Sequence, residues 1–225
     1  MYNLRSVLAH GRHQLAFWYR TPWRWRGALE EEETHWDKYL SEIVNKQAGR
    51  LDPDSELQSH IKELIRDIGP KARILDVGAG PLTVLGKCWD GHKLDITATD
   101  PLAAQYDSLL AKYGITPPVR TIKCDGERLV ELFGESQYDL AYAKNSLDHS
   151  YDPLKVIRQM AAVTRPGGLV ALEHLRNEAE HEHYLGLHQW NLDLQDGLFV
   201  IWNRNQRIDV AAAVRPQATV IQASR

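Results

Sequence analysis

The sequence predicts an α/β fold: a doubly wound parallel sheet, preceded by a helical extension and closed by an antiparallel hairpin. Three observations predict it. From residue 71 onward short apolar runs alternate with amphipathic stretches, the pattern of strands joined by right-handed helical crossovers. The first of those runs, Ile74 to Pro81 (ILDVGAGP), passes straight into a glycine turn, where a nucleotide can lie close to the backbone. Before residue 71 the apolar spacing is helical instead. The expected division is therefore a helical N-terminal extension or cap over 1–70 and a nucleotide-binding domain over 71–225.

Composition narrows the function classes. The chain has 225 residues, a quarter of them charged, with a net charge of −3. That balance disfavours nucleic-acid binding, which calls for a basic face. Two cysteines, Cys88 and Cys124, are too few for a disulfide scaffold or a zinc site. No run has the length of a transmembrane helix, and no signal peptide is evident at the N-terminus. No stable membrane insertion is expected, and the default setting is reduced and cytoplasmic.

Residues 1–29 carry Arg5, Arg12, Arg20, Arg24 and Arg26 with no acidic residue, interleaved with Phe17-Trp18-Tyr19 and Trp23-Arg24-Trp25. Charge reverses at Glu30–Glu33. Trp36, Leu40, Ile43, Val44 and Gln47 then recur at helical spacing. A second helix is expected from Asp52-Pro53, with the carboxylate as N-cap and proline at the first position. Leu57, Ile61, Leu64, Ile65 and Ile68 form its stripe, and Gly69-Pro70 ends it. Strands are expected at 73–77, 94–99, 119–123, 138–143 and 169–173, with helices near 82–89, 102–113, 127–133 and 153–164. Finally 199–203 and 208–214 flank a polar turn at 204–207 and read as a hairpin.

A dinucleotide fingerprint wants a third glycine for close helix packing. Gly78 and Gly80 fit, but the third place is Thr83, which counts against an oxidoreductase. Asp76 at the first strand end can accept loop amides or meet an ammonium group. Asp100, followed by Pro101, ends the second strand, where a carboxylate suits the two hydroxyls of an adenosine ribose.

In order, ILDVGAGP, ATDPL, KCDGERL, YDLAYAKNSLDHSYDP and RPGGLVALEH resemble the motifs of class I S-adenosylmethionine-dependent methyltransferases, in particular the small methyltransferase-domain branch with UbiE-like motifs. The likeness spans about Ala72 to His174, and departs from the family at Leu82, where many members carry glycine. It implies a Rossmann-like, seven-stranded sheet ending in the reversed hairpin, with S-adenosyl-L-methionine as cofactor. By that resemblance Asp76, Gly78, Ala79 and Gly80 would line the methionine end, and Asp100 and Pro101 the ribose. Asp125 and Gly126 would border the adenine, with a plain helix N-cap as the competing role for Asp125. Asn145, Ser146 and Leu147 would lie beneath the sulfonium.

Methyl transfer of this kind needs alignment, and a base when the acceptor is a hydroxyl or ammonium. His149, just past the fourth strand, is placed to be that base or an acceptor-orienting donor, though it could equally bond a loop backbone. The segment after the fifth strand holds His174, His181, His183, His188 and Trp190 among Glu173, Glu178, Glu180 and Glu182. A metal site there is disfavoured, because His181 and His183 are two apart and would point to different faces of a helix. An insertion over the acceptor pocket is expected, with His188 and Trp190 turned inward and His188 the second candidate base. The N-terminal patch reads as a cap on that pocket, a membrane or partner contact, or a loose arm. The acceptor expected is a small molecule or a glycan, methylated at oxygen; the alternative is a non-catalytic S-adenosylmethionine-binding regulatory or partner protein.

Overall fold

A computed structural model describes residues 22–43 and 48–224. Most of the arginine and tryptophan patch, and the Val44–Gln47 end of the first stripe, lie outside the described residues.

Helix α1 (Pro22–Ile43) is followed by the single turn α2 (Ala48–Leu51) and by α3 (Ser59–Leu64). The expected start of α3 at Asp52-Pro53 is corrected to Ser59. Asp52 caps only a turn, its Oδ1 accepting from Asp54 N at 2.8 Å. Residues 55–57 pair with a later segment instead: Lys87 N donates to Ser55 O, and Leu57 N to Cys88 O, each at 2.7 Å. Leu57, Ile61 and Ile65 are buried, while Leu64 is on the exposed side.

Strand β1 (Arg73–Val77) leads into the glycine turn. The helix expected over 82–89 does not form; a turn and the small antiparallel pair β2 (Cys88–Trp89) and β3 (His92–Lys93) replace it. Its backbone is satisfied from outside. Gln58 Nε2 donates to Val84 O at 2.7 Å and Gln58 Oε1 accepts from Gly86 N at 3.3 Å. A Cβ on Gly86 would stand 2.0 Å from Glu56 O, so only glycine lets the two segments meet.

The remaining units follow as expected: β4 (Asp95–Asp100), α4 (Ala103–Lys112), β5 (Thr121–Lys123), α5 (Leu129–Phe133), β6 (Tyr138–Lys144), α6 (Pro153–Val163) and β7 (Thr164–Glu173). Asp152 caps α6, accepting from Lys155 N at 3.0 Å, with Pro153 at the first position. Strand β7 begins before the Arg165-Pro166-Gly167-Gly168 run, which forms a register shift in its pairing with β6. Gly168 is needed there, since a Cβ would lie 2.7 Å from Asp139 O.

The central sheet is parallel throughout, in the order β5-β4-β1-β6-β7. Alternate residues feed two layers: Leu75, Ala141 and Ala143 face α5 and α6, while Ile74, Leu140 and Tyr142 face α3. Sequence had implied seven strands in this sheet; the described residues place five. After α7 (Glu178–His181), the chain forms β8 (Asn191–Gln195), β9 (Leu198–Trp202) and β10 (Arg207–Asp209), which pair with one another as a separate three-stranded antiparallel sheet. Asp196-Gly197, both at positive φ, closes β8 on β9, the two-residue turn that matches strand twist. Local closure thus satisfies these ladders without the central sheet. Past Asp209 the second expected hairpin strand becomes α8 (Val210–Val214), capped by Asp209 Oδ1 on Ala212 N at 3.1 Å. Among the described residues no helix is long and apolar enough to cross a membrane.

Candidate functional site

Chain order reverses direction across the sheet at β1, with β4 on one side and β6 on the other. In such sheets the crevice beyond the carboxyl ends of the strands is where ligands bind. A cavity of about 320 Å³ opens there, walled by the residues that follow β1, β4, β5 and β6 and roofed by α1.

Gly78, Ala79 and Gly80 line it. The loop folds back so that Gly78 N and Ala79 N donate to Thr99 O at 2.8 and 3.0 Å. Gly78 and Gly80 both take positive φ, a conformation open to glycine without strain. Asp76 does not reach the cavity. It is buried beneath the loop and accepts from Thr83 Oγ1 at 2.5 Å, and burial pushes its carboxyl up to about 6. Asp100 and Pro101 do line the cavity. The Asp100 oxygens are each held by one amide: Oδ2 by Gly80 N at 3.2 Å and Oδ1 by Leu102 N at 2.9 Å. Burial nevertheless raises this carboxyl to about 6, with Glu32 adding to the effect. The Tyr106 hydroxyl also bonds this carboxylate, which still faces the cavity.

Beyond β5, Gly126 lines the cavity and Asp125 does not; Cys124 and Glu127 stand there with the glycine. Asp125 occupies the N-cap of a short 3-10 turn, using its backbone oxygen rather than its side chain. Beyond β6, Asn145, Ser146 and Leu147 all line the cavity. Asn145 is at positive φ and is anchored by its Oδ1, which accepts from Leu175 N at 2.9 Å. Ser146 Oγ donates to Val77 O at 3.0 Å, tying the β6 loop to β1.

The two candidate bases meet. His149, a cavity residue, places Nε2 at 3.1 Å from His188 Nδ1, and that atom is 2.8 Å from Asp148 Oδ2. Asp148 is buried. Burial alone would raise its carboxyl, but the hydrogen bond with His188 and the nearby imidazoles hold it below its ordinary value. Against its own burial, His188 is raised by the same partner. Trp190 is turned inward as expected, while Glu180, His181, Glu182 and His183 face solvent. His174 is close enough to feel Asp148 and His149; burial pushes it down to about 4, and both ring nitrogens are shut away from solvent without a hydrogen-bond partner.

Helix α1 supplies what sequence reasoning missed. Glu32, Trp36 and Tyr39 line the cavity. Trp36 Nε1 donates to Glu32 Oε1 at 2.8 Å, and Glu32 Oε2 lies 3.9 Å from His149 Nδ1. The helix is held by Leu40, which shares a buried cluster with Leu82, Leu102 and Tyr106, and by the Asp37–Lys112 pair at 2.8 Å. The acidic run gave no cue to this role, since a charge run ordinarily marks a solvated face.

The family model described as "Methyltransferase domain" matches residues 37–206. The O-methyltransferase resE of Aspergillus sclerotiorum is 26% identical over 155 residues, covering 62% of this chain and 59% of its own. The O-methyltransferase rstn1 of Aspergillus nomiae is 27% identical over 160 residues, covering 64% of this chain and 71% of its own. The chain thus spans about three fifths of the first of these relatives. Among solved structures, a 1,6-didemethyltoxoflavin-N1-methyltransferase of Burkholderia thailandensis, bound to its acceptor and S-adenosylhomocysteine, is 17% identical with a TM-score of 0.44 over 88% of this chain and 79% of its own.

Proposed function

The chain belongs to the methyltransferase-domain family, whose cofactor is S-adenosylmethionine, and from that premise we propose that it methylates a hydroxyl oxygen of a small molecule. One observation carries the reading: the glycine loop, Asp100 and His149 line one cavity, and His149 meets His188, which in turn meets Asp148. The names of the two fungal relatives support oxygen as the atom methylated.

The residues fit the cofactor. Asp100 is braced by the amides of Gly80 and Leu102 and by the Tyr106 hydroxyl and faces the cavity, where its carboxylate can accept from a ribose hydroxyl, and Gly126 presents no side chain there. When bound, S-adenosylmethionine supplies a methyl group on a good leaving group, so the protein chiefly provides alignment. Asn145–Leu147 fix the floor of the cavity through backbone anchored to β1 and β7. With cofactor and acceptor bound, His149 would take the acceptor hydroxyl's proton, leaving its oxygen free to accept the methyl group the cofactor would supply. Asp148 and His188 hold that imidazole in place, acting as positioning residues.

The test is turnover of methyl-labelled S-adenosylmethionine with a panel of phenols and aliphatic alcohols, reading labelled product and S-adenosylhomocysteine together. His149→Gln is expected to lower kcat by about 100-fold or more while S-adenosylhomocysteine binding stays at the wild-type value. Wild-type turnover by that variant would end the base assignment. Cofactor binding with no turnover of any acceptor would favour the non-catalytic regulator instead.

A further inference from the structure

We infer that Asp148, His149 and His188 form a binding site for one first-row divalent transition cation, with zinc the reference ion. Three donor atoms converge: His188 Nδ1, His149 Nε2 and Asp148 Oδ2 are separated by 3.1, 2.8 and 3.4 Å. Metal–ligand bonds of about 2.0–2.2 Å, at octahedral to tetrahedral angles, set neighbouring donors about 2.8–3.6 Å apart. All three edges fall in that range.

Protons satisfy such a triangle poorly. Each imidazole nitrogen carries at most one hydrogen and the carboxylate oxygen none. If both nitrogens are protonated, two donors face each other across 3.1 Å. If one is, a nitrogen lone pair faces another lone pair along one edge. A cation at the centre of the three replaces every edge with a bond.

The surroundings are those of a built site. Asp148 is buried, and Gln189 N donates to Asp148 O at 3.1 Å, which locks the segment bearing His188 to the turn bearing the other two ligands. Glu32 Oε2 lies 3.9 Å from His149 Nδ1, beyond hydrogen-bond distance, and Glu32 is itself bonded to Trp36. His174, with both ring nitrogens buried and unpartnered, sits within electrostatic reach of Asp148 and His149. Two nitrogens and one oxygen suit zinc, iron or manganese, whereas magnesium and calcium want oxygen. His149 lines the cavity, so a coordination position open on that side would polarise an acceptor hydroxyl as a Lewis acid. That use rests on the methyl-transfer reading and would take the place of His149 as base, because a nitrogen bound to the cation cannot accept a proton; the site itself does not rest on it.

Metal-free protein is titrated with zinc by calorimetry and with cobalt(II) by visible absorption, and each sample is then titrated with S-adenosylhomocysteine. One equivalent of zinc is expected, with a cobalt ligand-field band. His188→Ala and Asp148→Asn should weaken zinc by about 100-fold or more, while His181→Ala leaves it unchanged. Retained S-adenosylhomocysteine binding shows that each variant is folded. Zinc affinity equal in wild type and His188→Ala, or lost in His181→Ala, overturns the site. Should cofactor bind and zinc not, the metal falls and the methyltransferase reading stands; zinc without cofactor gives the reverse.

Discussion

The indole of Trp36 fills the space that a side chain on Gly80 would need. A Cβ built at position 80 would stand 2.7 Å from Trp36 Cζ2, with two further ring carbons at 2.9 and 3.3 Å. A residue of the N-terminal helix therefore sits on the second glycine of the nucleotide turn, and the missing side chain at Gly80 is what lets the cavity close.

Gly80→Ala tests that contact. The alanine must take a φ of +66°, costing about 1–2 kcal/mol, and must push aside an indole held by Glu32. The thermal midpoint should fall, and the affinity for S-adenosylhomocysteine should weaken with it. Alanine at the exposed Gly134, which also has positive φ but nothing near its Cβ, should cost strain alone and leave affinity unchanged. Thermal unfolding and calorimetry on the two variants separate the effects.

Much of this architecture was legible from the chain. Strand β1, the Asp152-Pro153 cap of α6 and three of the four expected βα beats follow from local periodicity and capping chemistry. The absent helix at 82–89 did not, because the hydrogen bonds that replace it come from Gln58 and Ser55, about 30 residues away. Strand β8 was missed although Asp196-Gly197 signals its turn. In the site, the glycines, Asp100 and Asn145–Leu147 were readable because motif spacing places them at strand ends. Glu32 and Trp36 were not, since only the docking of α1 brings them to the cavity. The meeting of His149 with His188, 39 positions apart, likewise needs the tertiary fold.

Asp100→Asn should weaken S-adenosylhomocysteine binding while leaving the fold in place. The amide keeps the shape and can still accept from one of Gly80 N and Leu102 N, but loses the charge that strengthens bonds to two hydroxyls. Bonds to a charged acceptor are worth about 1.5–3 kcal/mol, so affinity should drop by about 10-fold to 100-fold. Calorimetric titration reads this directly. Unchanged affinity would remove Asp100 from the ribose role.

The raised value of Asp100, about 6, sets a pH dependence with a definite sign. The charged groups facing it are Glu32 from α1, with the Tyr106 hydroxyl from α4 and the amides of Gly80 and Leu102. As pH falls through 6 the free protein protonates Asp100 and loses the ribose acceptor, so affinity should decline by up to tenfold per pH unit between 6 and 5. Stability moves the other way. A carboxyl whose folded value lies above its unfolded 3.8 binds protons preferentially in the folded state, so its contribution is full below the unfolded value and is lost as pH rises through 6. Relative to Asp100→Asn, wild type should therefore gain stability and lose affinity on the same acid step. Parallel titrations and melts at pH 7 and pH 5 check both signs.

Leu82 stands where many members of this family carry glycine, and its side chain packs with Leu40 of α1 and with Leu102, Tyr106 and Leu110 around α4. It joins the helix that roofs the cavity to the domain that bears the cofactor loop. Leu82→Ala removes a fully buried side chain and should cost about 2–5 kcal/mol, the range for leucine truncation in a packed core. Its position gives the loss a second consequence. Leu40 loses a partner, so α1 should undock before the sheet unfolds, exposing Trp36 to solvent. Tryptophan fluorescence and backbone hydrogen exchange over 32–40 should both change at temperatures where exchange in β1 and β6 is still slow. Equal protection of α1 and the sheet in the variant would mean that the Asp37–Lys112 pair and the Trp36–Tyr106 contact hold the roof without Leu82.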